Sequence, residues 1–236
     1  MLSIITPNLN NAKYLEDNIK SIMLLNIPFE HIIVDGGSTD GSLDVVSKYP
    51  HIKLLHQTQK TGMYGAIHQG FSEASGNYMS WINADDRMIS SGYEAMYSNA
   101  IDKKYDFIYS DGNYFYIKEN LNKFGKGRRF AKFFLKHGCI PTMQPSIIFS
   151  KYIYNVVGGL RYDKFKICGD LDLFIRIAQQ KKARFKYIHK LSAVFIKRGD
   201  SLGDLNSETG IREVTDSYLP RPSLLIRVLF FLSRFI

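Results

Sequence analysis

The chain has 236 residues, of which 45% are hydrophobic and 22% charged, and this ordinary globular composition excludes a disordered or fibrous protein. The chain has 31 lysine and arginine residues against 22 aspartate and glutamate residues, which gives a formal net charge of +9. An anionic partner is therefore expected. Nucleic acid, anionic lipid and nucleotides all carry phosphate and would each fit this charge. Two cysteines, Cys139 and Cys168, are too few for a disulfide framework or a zinc site, which favours a reducing cytosol.

The N-terminus, Met1 to Pro7, has no basic region and only a short apolar run, so we expect no signal peptide and a cytoplasmic protein. The length predicts one domain, 1–219, followed by a tail, 220–236. Within the domain we expect two halves, 1–111 and 112–219.

The first half alternates short apolar runs with amphipathic segments, the pattern of βαβ units in a parallel sheet. The predicted strands are Leu2–Thr6, His31–Asp35, Ile52–His56 and Tyr78–Asn83. The predicted helices are Tyr14–Leu25, Ser42–Tyr49 and Tyr64–Ala74, the first capped by Asn10 or Asn11 and the second by Thr39 or Asp40. We therefore expect an α/β fold with a Rossmann-like, mostly parallel sheet flanked by helices.

Beyond Asp86 the pattern is less regular. Its predicted elements are the helices Gly92–Lys103 and Asp170–Gln180 and the strands Phe107–Asp111 and Ile147–Ser150. The aromatic, basic stretch Tyr114–Phe134 is expected to be partner-specific. The segment Arg198–Thr209 is rich in Gly, Asp, Ser and Asn and is expected to be a mobile loop.

Polar residues follow three predicted strands at the points where they end: Thr6-Pro7-Asn8, the run Asp35 to Ser42, and Asn83-Ala84-Asp85-Asp86. The carboxyl ends of parallel strands share one edge, where open α/β sheets bind ligands. Asp35 can accept hydrogen bonds from a base or ribose, but a capped turn explains the same residues equally well. The adjacent carboxylates Asp85 and Asp86 repel each other unless a cation compensates, which indicates Mg²⁺ or Mn²⁺, with a solvated helix cap as the alternative.

Several segments together resemble glycosyltransferase family 2 enzymes of the GT-A fold. They are Ser3 to Asn8, Asp35 to Ser42, Gly62 to Gly70, Trp81 to Asp86 and Gly169 to Asp172. The resemblance covers about Leu2 to Ile196, and it is carried best by the Asp-Gly-Gly-Ser-Thr-Asp-Gly-Ser run combined with Asn-Ala-Asp-Asp.

The resemblance implies a nucleotide site and a metal site, with 1–111 as the nucleotide-binding half and 112–219 as the acceptor-binding half. Thr6, Pro7, Asn8, Asp35, Asn83 and Ala84 match nucleotide-binding positions. Asp85 matches the ligand of the Mn²⁺ or Mg²⁺ ion that bridges the diphosphate, and Asp86 is the weaker candidate, either supporting that ligand or facing the sugar. Arg198 is a candidate for pairing with the diphosphate, and a solvated surface position is the equal alternative.

The resemblance also implies that Asp170 is the catalytic base of an inverting enzyme. Asp172 lies two residues away, about 200° around a helix, and is a possible acceptor-positioning group. At the start of a helix, Asp170 is expected to be stabilised in its ionised form by the helix dipole. His68, His137 and His189 are expected to be surface or satisfied interior groups rather than catalysts.

Three departures from the family pattern affect the donor identity: Lys60-Thr61-Gly62 lacks the usual acidic residue, Gly65 stands where Asp is common, and His68 where Asn is common. The implied reaction is transfer of a hexosyl or N-acetylhexosaminyl group from a nucleotide diphosphate sugar, by family default UDP, to a glycan or lipid-linked saccharide. A nucleotide-sugar pyrophosphorylase is an alternative, but the first loop lacks the glycine-rich, basic character such enzymes need. A catalytically silent nucleotide-binding module is a third.

The tail is expected to lie on the inner face of the cell membrane. Ser223 to Ile236 is mostly apolar but too short to span a bilayer. Ser223, Arg227 and Arg234 form a narrow polar stripe, so an amphipathic helix at an anionic membrane surface is predicted. The alternative is a helix docked on the domain itself or on a second subunit. No nucleic-acid partner is expected, and the oligomeric state is left open.

Overall fold

The computed structural model describes residues 1–58, 61–199 and 207–235, and its strands join into one nine-stranded sheet. The strands are β1 (Leu2–Asn8), β2 (Phe29–Asp35), β3 (Ile52–His56), β4 (Tyr78–Trp81), β5 (Arg87–Met88), β6 (Phe107–Tyr116), β7 (Leu121–Gly125), β8 (Ile147–Ser150) and β9 (Phe185–Lys197). The helices are α1 (Ala12–Met23), α2 (Ser42–Ser47), α3 (Gly62–Ser72), α4 (Ser90–Lys103), α5 (Ala131–Lys136), α6 (Lys151–Val156), α7 (Gly169–Gln179), α8 (Ser207–Thr215) and α9 (Leu224–Leu232), and a short 3-10 helix spans Gln144–Ser146.

The sheet order is β3-β2-β1-β4-β8-β6-β9-β5, with β7 paired to β6. β1 is parallel to β2 and β4, and β2 is parallel to β3. β8 is antiparallel to β4 and β6, whereas β6 and β9 are parallel. Six of the nine described strands therefore run in one direction, so the predicted α/β fold with a mostly parallel sheet is confirmed.

Helices cover both faces of the sheet, which is why all seven residues of β1 are buried. On one face, α3 and α7 pack around Trp81, which is 1% exposed and, as expected, in the core. On the other face, α4 contributes the buried Tyr93. In α4, a Cβ at Gly92 would overlap the backbone of Leu191, so only glycine lets this helix lie directly on β9.

The second half is more regular than predicted. The strand from Phe107 continues to Tyr116 and forms a hairpin with β7, and the long strand β9 was not predicted at all. Most of β9 is only partly buried, so it lacks the continuous apolar run that marks a central strand. In the predicted loop Arg198–Thr209, residues 200–206 lie outside the described residues, and Ser207 already begins α8.

Part of the tail, Leu224–Leu232, forms the helix α9. Among the described helices, none combines the length and the hydropathy that crossing a bilayer requires.

Candidate active site

The turn after β2 is organised by the carboxylate of Asp35, which is 1% exposed. Its Oδ2 accepts hydrogen bonds from the backbone N–H groups of Gly37 and Ser38, both at 2.9 Å, and its Oδ1 accepts from Asn8 Nδ2 at 2.9 Å and Ser38 Oγ at 2.5 Å. Burial alone would raise the pKa of Asp35, but these hydrogen bonds hold it below its ordinary value. A carboxylate has about four acceptor positions, and these four hydrogen bonds fill them. A contact between Asp35 and a nucleotide base therefore stays a prediction.

The first loop contributes one unsatisfied acceptor. The Thr6 hydroxyl is fully buried and lies 3.0 Å from His31 Nε2, and Pro7 is buried beside it. Asn8 differs, because its Oδ1 is a buried oxygen without a hydrogen-bond partner in the described part of the chain. Of these three predicted nucleotide-binding residues, Asn8 is the one that keeps a polar atom for a ligand.

Asn18 of α1 joins the ends of two strands and was missed in the sequence. It is 0% exposed, and its Nδ2 donates to the backbone oxygens of Asn83 at 3.0 Å and Asp86 at 2.8 Å. Its Oδ1 accepts a hydrogen bond from Thr6 Oγ1 at 3.4 Å. A signal existed, because position 18 falls on the apolar face set by Leu15 and Ile22, where a buried amide needs specific partners.

Asp86 supports the acidic turn from inside. It is 1% exposed, its Oδ1 accepts a hydrogen bond from the backbone N–H of Ile196 at 2.8 Å, and its Oδ2 is buried without a described partner. Burial, and then the charge of Asp85, raise the pKa of Asp86 well above its ordinary value. The ionised form of Asp86, which would add a second negative charge beside Asp85, is therefore disfavoured. The burial of Asp86 matches the predicted role of supporting the metal ligand Asp85 and does not match the predicted role of facing the sugar.

Asp85 lies at the end of the same turn, with its side chain 15% exposed, and it pairs with a cation. The Nε of Arg198 lies 3.2 Å from Asp85 Oδ2, and Arg198 Nη1 donates to Asn11 Oδ1 at 3.1 Å. The guanidinium lies over the ring of Tyr14, 5.1 Å from its centroid. The site thus already stabilises positive charge next to Asp85.

The residues at this turn fit a hard divalent cation. Asp85 supplies a carboxylate, and Asn83 has a buried Oδ1 without a described hydrogen-bond partner. No cluster of three His, Cys, Asp or Glu side chains suited to a metal occurs among the described residues. Mg²⁺ and Mn²⁺ accept few protein ligands when water and phosphate oxygens complete the shell, so the donor set suits them. Ala84 is buried in the core beneath the turn.

Asp170 lies in the first turn of α7 and is linked to α3. Its Oδ1 accepts hydrogen bonds from Leu171 N at 2.8 Å and from the Tyr64 hydroxyl at 3.1 Å. Burial raises the pKa of Asp170 in spite of these hydrogen bonds. The expectation from the helix dipole is wrong on this point, because desolvation outweighs it. Tyr64 was part of the quoted family segment, but its contact with Asp170 was not foreseen.

Asp172 is engaged elsewhere. It is 0% exposed, and its Oδ2 accepts hydrogen bonds from Arg176 Nε at 3.0 Å and Nη2 at 2.5 Å. The Arg176 guanidinium also donates to the backbone oxygens of Val157 and Gly159. Asp172 therefore holds α7 to the segment after α6, which replaces the acceptor-positioning role expected for it.

One departure from the family pattern has a local explanation. A Cβ at Gly65 would overlap the side chain of Thr61. The threonine therefore occupies the space into which an aspartate at position 65 would project, so the two departures occur together.

Comparison with known proteins matches residues 3–157 to the family model described as glycosyl transferase family 2. Among curated relatives, Glycosyltransferase GlyG of Streptococcus pneumoniae is 30% identical over 50% of this chain, and the chain spans only 44% of that protein. A PGL/p-HBAD biosynthesis glycosyltransferase of Mycobacterium tuberculosis is 26% identical over 84% of this chain and 78% of its own length.

Two solved structures have the same fold. Staphylococcus aureus TarS 1–349 in complex with UDP-GlcNAc superposes with a TM-score of 0.66 at 16% identity, covering 85% of this chain and 59% of TarS 1–349. The mannosyltransferase PcManGT of Pyrobaculum calidifontis, in complex with GDP-Man and Mn²⁺, gives 0.66 at 13% identity, covering 99% and 68%. At these identities the likeness shows the fold, which is the GT-A fold.

Proposed function

Since the chain belongs to glycosyl transferase family 2, we propose that it transfers a hexosyl or N-acetylhexosaminyl group from a UDP-sugar to a glycan or lipid-linked saccharide. The setting that we propose is the synthesis of bacterial surface polysaccharide. The observation that carries the proposal is the ion pair between Asp85 and Arg198 at the end of β4. It places one carboxylate and one strong cation side by side where the fold binds ligands.

We propose that Asp85 holds a divalent cation, with Asn83 as a nearby neutral oxygen donor. The Mn²⁺ ion in the PcManGT complex supports divalent-metal use in this fold. When bound, the ion would neutralise charge that develops on the leaving diphosphate. Arg198 supplies a positive charge to the same region from the chain itself.

Donor recognition is assigned to the turn built by Asn8 and Asp35. The buried Oδ1 of Asn8, which has no hydrogen-bond partner among the described residues, can accept a hydrogen bond from the uracil or ribose. Asp35 would contact the base only by exchanging one of its internal donors, and the Ser38 hydroxyl can rotate most easily. The TarS complex with UDP-GlcNAc supports a uridine donor.

Asp170 is proposed as the base that accepts the proton of the acceptor hydroxyl. Its raised pKa makes it a stronger proton acceptor than an ordinary aspartate, and Tyr64 orients its Oδ1. Tyr64 lies in the first turn of α3, which follows β3, so this hydrogen bond supports a location at the same sheet edge as Asp85. A base acting opposite the leaving group gives a single displacement with inversion.

We also propose that α9 attaches the chain to the cytoplasmic face of the membrane. The helix packs on the domain through Ile226 and Phe230, whereas six of its large apolar side chains, and Phe235 just beyond its end, are 41–79% exposed. They are Leu224, Leu225, Val228, Leu229, Phe231, Leu232 and Phe235. Successive residues of a helix are rotated by about 100°, so these side chains cover the side of α9 opposite the edge that packs on the domain. An apolar helix face of this kind enters the headgroup region of a bilayer.

The experiment is a screen of nucleotide sugars for nucleotide release with and without Mn²⁺. The proposed enzyme releases UDP from one donor, slowly to water and faster with an acceptor. Asp85→Asn should lose this activity, while Asp163→Asn, a matched change at an exposed carboxylate, should keep it. Donor binding without any release would indicate a silent module, and cleavage that requires added pyrophosphate would indicate a pyrophosphorylase.

A further inference from the structure

A cavity lies between α5, the segment before it and the first half of β9. Its volume is about 490 Å³, and it shares no residue with the donor site. Four cationic side chains line it, Lys126, Arg129, Lys132 and Lys186, together with His189. No acidic side chain lines it in the part of the chain that the structure describes.

The positive charge of this cavity is balanced only in part, by Asp111 beside His189 and by Asp106 near Lys132. Lys126 Nζ lies 3.2 Å from the backbone oxygen of Arg234, and Lys132 Nζ donates to backbone oxygens of Lys181 and Ala183 at 2.9 and 2.7 Å. Neither lysine has a carboxylate partner among the described residues. Burial, and then the neighbouring positive charge of Lys136, lower the pKa of Lys132. Bound anionic charge would relieve this crowding.

One wall of the cavity is held rigidly. Asp111, 2% exposed, accepts hydrogen bonds from the Tyr187 hydroxyl at 2.5 Å and from the Gly127 backbone N–H at 2.7 Å. Its other oxygen lies 2.7 Å from Nδ1 of His189, whose side chain is 69% exposed. The buried carboxylate therefore fixes two rings of the wall, and the cavity is a built feature rather than a loose group of lysines.

The mouth of the cavity is apolar and adjoins α9. Phe130, on the rim, is 66% exposed and has a left-handed backbone conformation with φ of 61°, which phenylalanine rarely adopts. The Phe134 ring, four residues later, lies 5.0 Å from the Phe230 ring of α9, centroid to centroid. The Arg128 guanidinium lies 5.6 Å from the same Phe230 ring. The cavity thus lies next to the docked edge of α9, and the exposed apolar residues occupy the other side of this helix.

We propose that this cavity binds the phosphate group of an anionic membrane lipid. The inference rests on the membrane attachment proposed above and gives it a specific headgroup contact. The cations alone would suit free phosphate equally well, but the exposed aromatic rim and the apolar helix beside it favour a phosphate that carries acyl chains. A lipid held here places apolar chains against α9 and charge against Lys126 and Arg129.

The test is flotation of the full chain with phosphatidylcholine vesicles, with and without phosphatidylglycerol, in the absence of nucleotide sugar and metal. The double variant Arg129→Gln/Lys186→Gln should bind the anionic vesicles at least about tenfold more weakly, since each basic residue near an anionic surface contributes appreciably. The control Lys48→Gln/Lys103→Gln removes the same charge from exposed positions elsewhere and should change binding less than about twofold. Thermal melting checks that both variants are folded.

An equal loss of vesicle binding in the two double variants would show that the membrane attracts the positive charge of the whole surface, and it would overturn the proposal that the cavity binds lipid. If the full chain binds inorganic phosphate in calorimetry but floats equally with vesicles that contain phosphatidylglycerol and vesicles that lack it, the ligand of the cavity is free phosphate and the lipid proposal fails. If truncation after Leu219 abolishes flotation while the cavity variant floats normally, the attachment by α9 stands and the cavity proposal fails. If the full chain self-associates and the associated form does not bind vesicles, α9 packs against a second copy of the chain. This result would overturn both the membrane attachment by α9 and the lipid site in the cavity. No outcome depends on glycosyl transfer.

Discussion

The guanidinium of Arg198 lies against the carboxylate of Asp85, with Nε 3.2 Å from Oδ2. The two residues are far apart in the sequence, and the contact brings the end of β9 to the end of β4. A metal ion bound at Asp85 would therefore compete with Arg198 for Oδ2 of this carboxylate.

Asp85→Asn should abolish the part of UDP binding that depends on Mn²⁺, because the amide removes the charge that holds the ion. Calorimetric titration of UDP with and without Mn²⁺ measures this. Asp163→Asn is the control and should bind as the original protein does. Undiminished metal-assisted binding in Asp85→Asn would assign the metal to other residues.

Arg198→Gln should act in opposite directions on two ligands. Mn²⁺ alone should bind Asp85 more tightly, because the competing cation is gone, while UDP should bind roughly tenfold more weakly through the loss of a charge-assisted hydrogen bond. Titration of Mn²⁺ by electron paramagnetic resonance and of UDP by calorimetry separates the two. A parallel loss of both affinities would show that Arg198 merely maintains the fold of the site.

Asp170→Asn should leave donor binding intact and reduce kcat by roughly two to four orders of magnitude, the usual range for a general base. In Tyr64→Phe, loss of the hydrogen bond that lowers the pKa of Asp170 should raise this pKa further. Because the base acts when ionised, the acidic limb of the kcat/KM profile should move to higher pH. The profile across pH 4–9 is the measurement, and a limb that does not move would separate Tyr64 from the base.

Asp172→Asn should destabilise the protein by about 3–5 kcal/mol, because it leaves Arg176 as an uncompensated buried charge. Denaturant unfolding gives the free energy. Asp163→Asn provides the exposed comparison, with a change within about 0.5 kcal/mol. A stable Asp172→Asn protein with a raised KM for the acceptor would restore the positioning role.

The stability should fall in acid partly through His31. This ring is fully buried, and desolvation, followed by the charge of the neighbouring His51, lowers its pKa from 6.5 to about 3. Because the unfolded state takes up the proton first, this contribution is complete above about pH 6.5 and is lost between pH 6.5 and 3, at about 1.4 kcal/mol per pH unit.

Unfolding free energies of His31→Gln and of the original protein should therefore converge as the pH falls through that window. His56→Gln, at an exposed position, should follow the original protein throughout. Parallel curves for His31→Gln and the original protein would contradict the assignment.

The apolar runs were sufficient to predict β1, β2 and β4, because residues buried on both faces leave a continuous hydrophobic signature. β9 alternates aromatic, basic and apolar residues along a partly exposed strand, so no simple period identified it. The pair Asp172 and Arg176 was visible as an i, i+4 spacing and was overlooked.

Contacts across long sequence distances limited the prediction of the site. The hydrogen bond between Tyr64 and Asp170 joins residues 106 positions apart, and that between Asp86 and Ile196 spans 110. Motif positions identified Asp85 and Arg198 as candidates, but only the fold shows that they touch. Spacing in one sequence contains no information on such pairs.

The hydrogen bond from Ile196 to Asp86 has a consequence for a growing polypeptide. β1 to β4 can pair soon after they leave the ribosome, since all lie within the first 81 residues. The acidic turn acquires its backbone donor and its arginine only when residues 196 and 198 have emerged, several seconds later at roughly 5–20 residues per second. In a nascent chain, β1 to β4 can thus pair before residues 196 and 198 have emerged to complete the acidic turn.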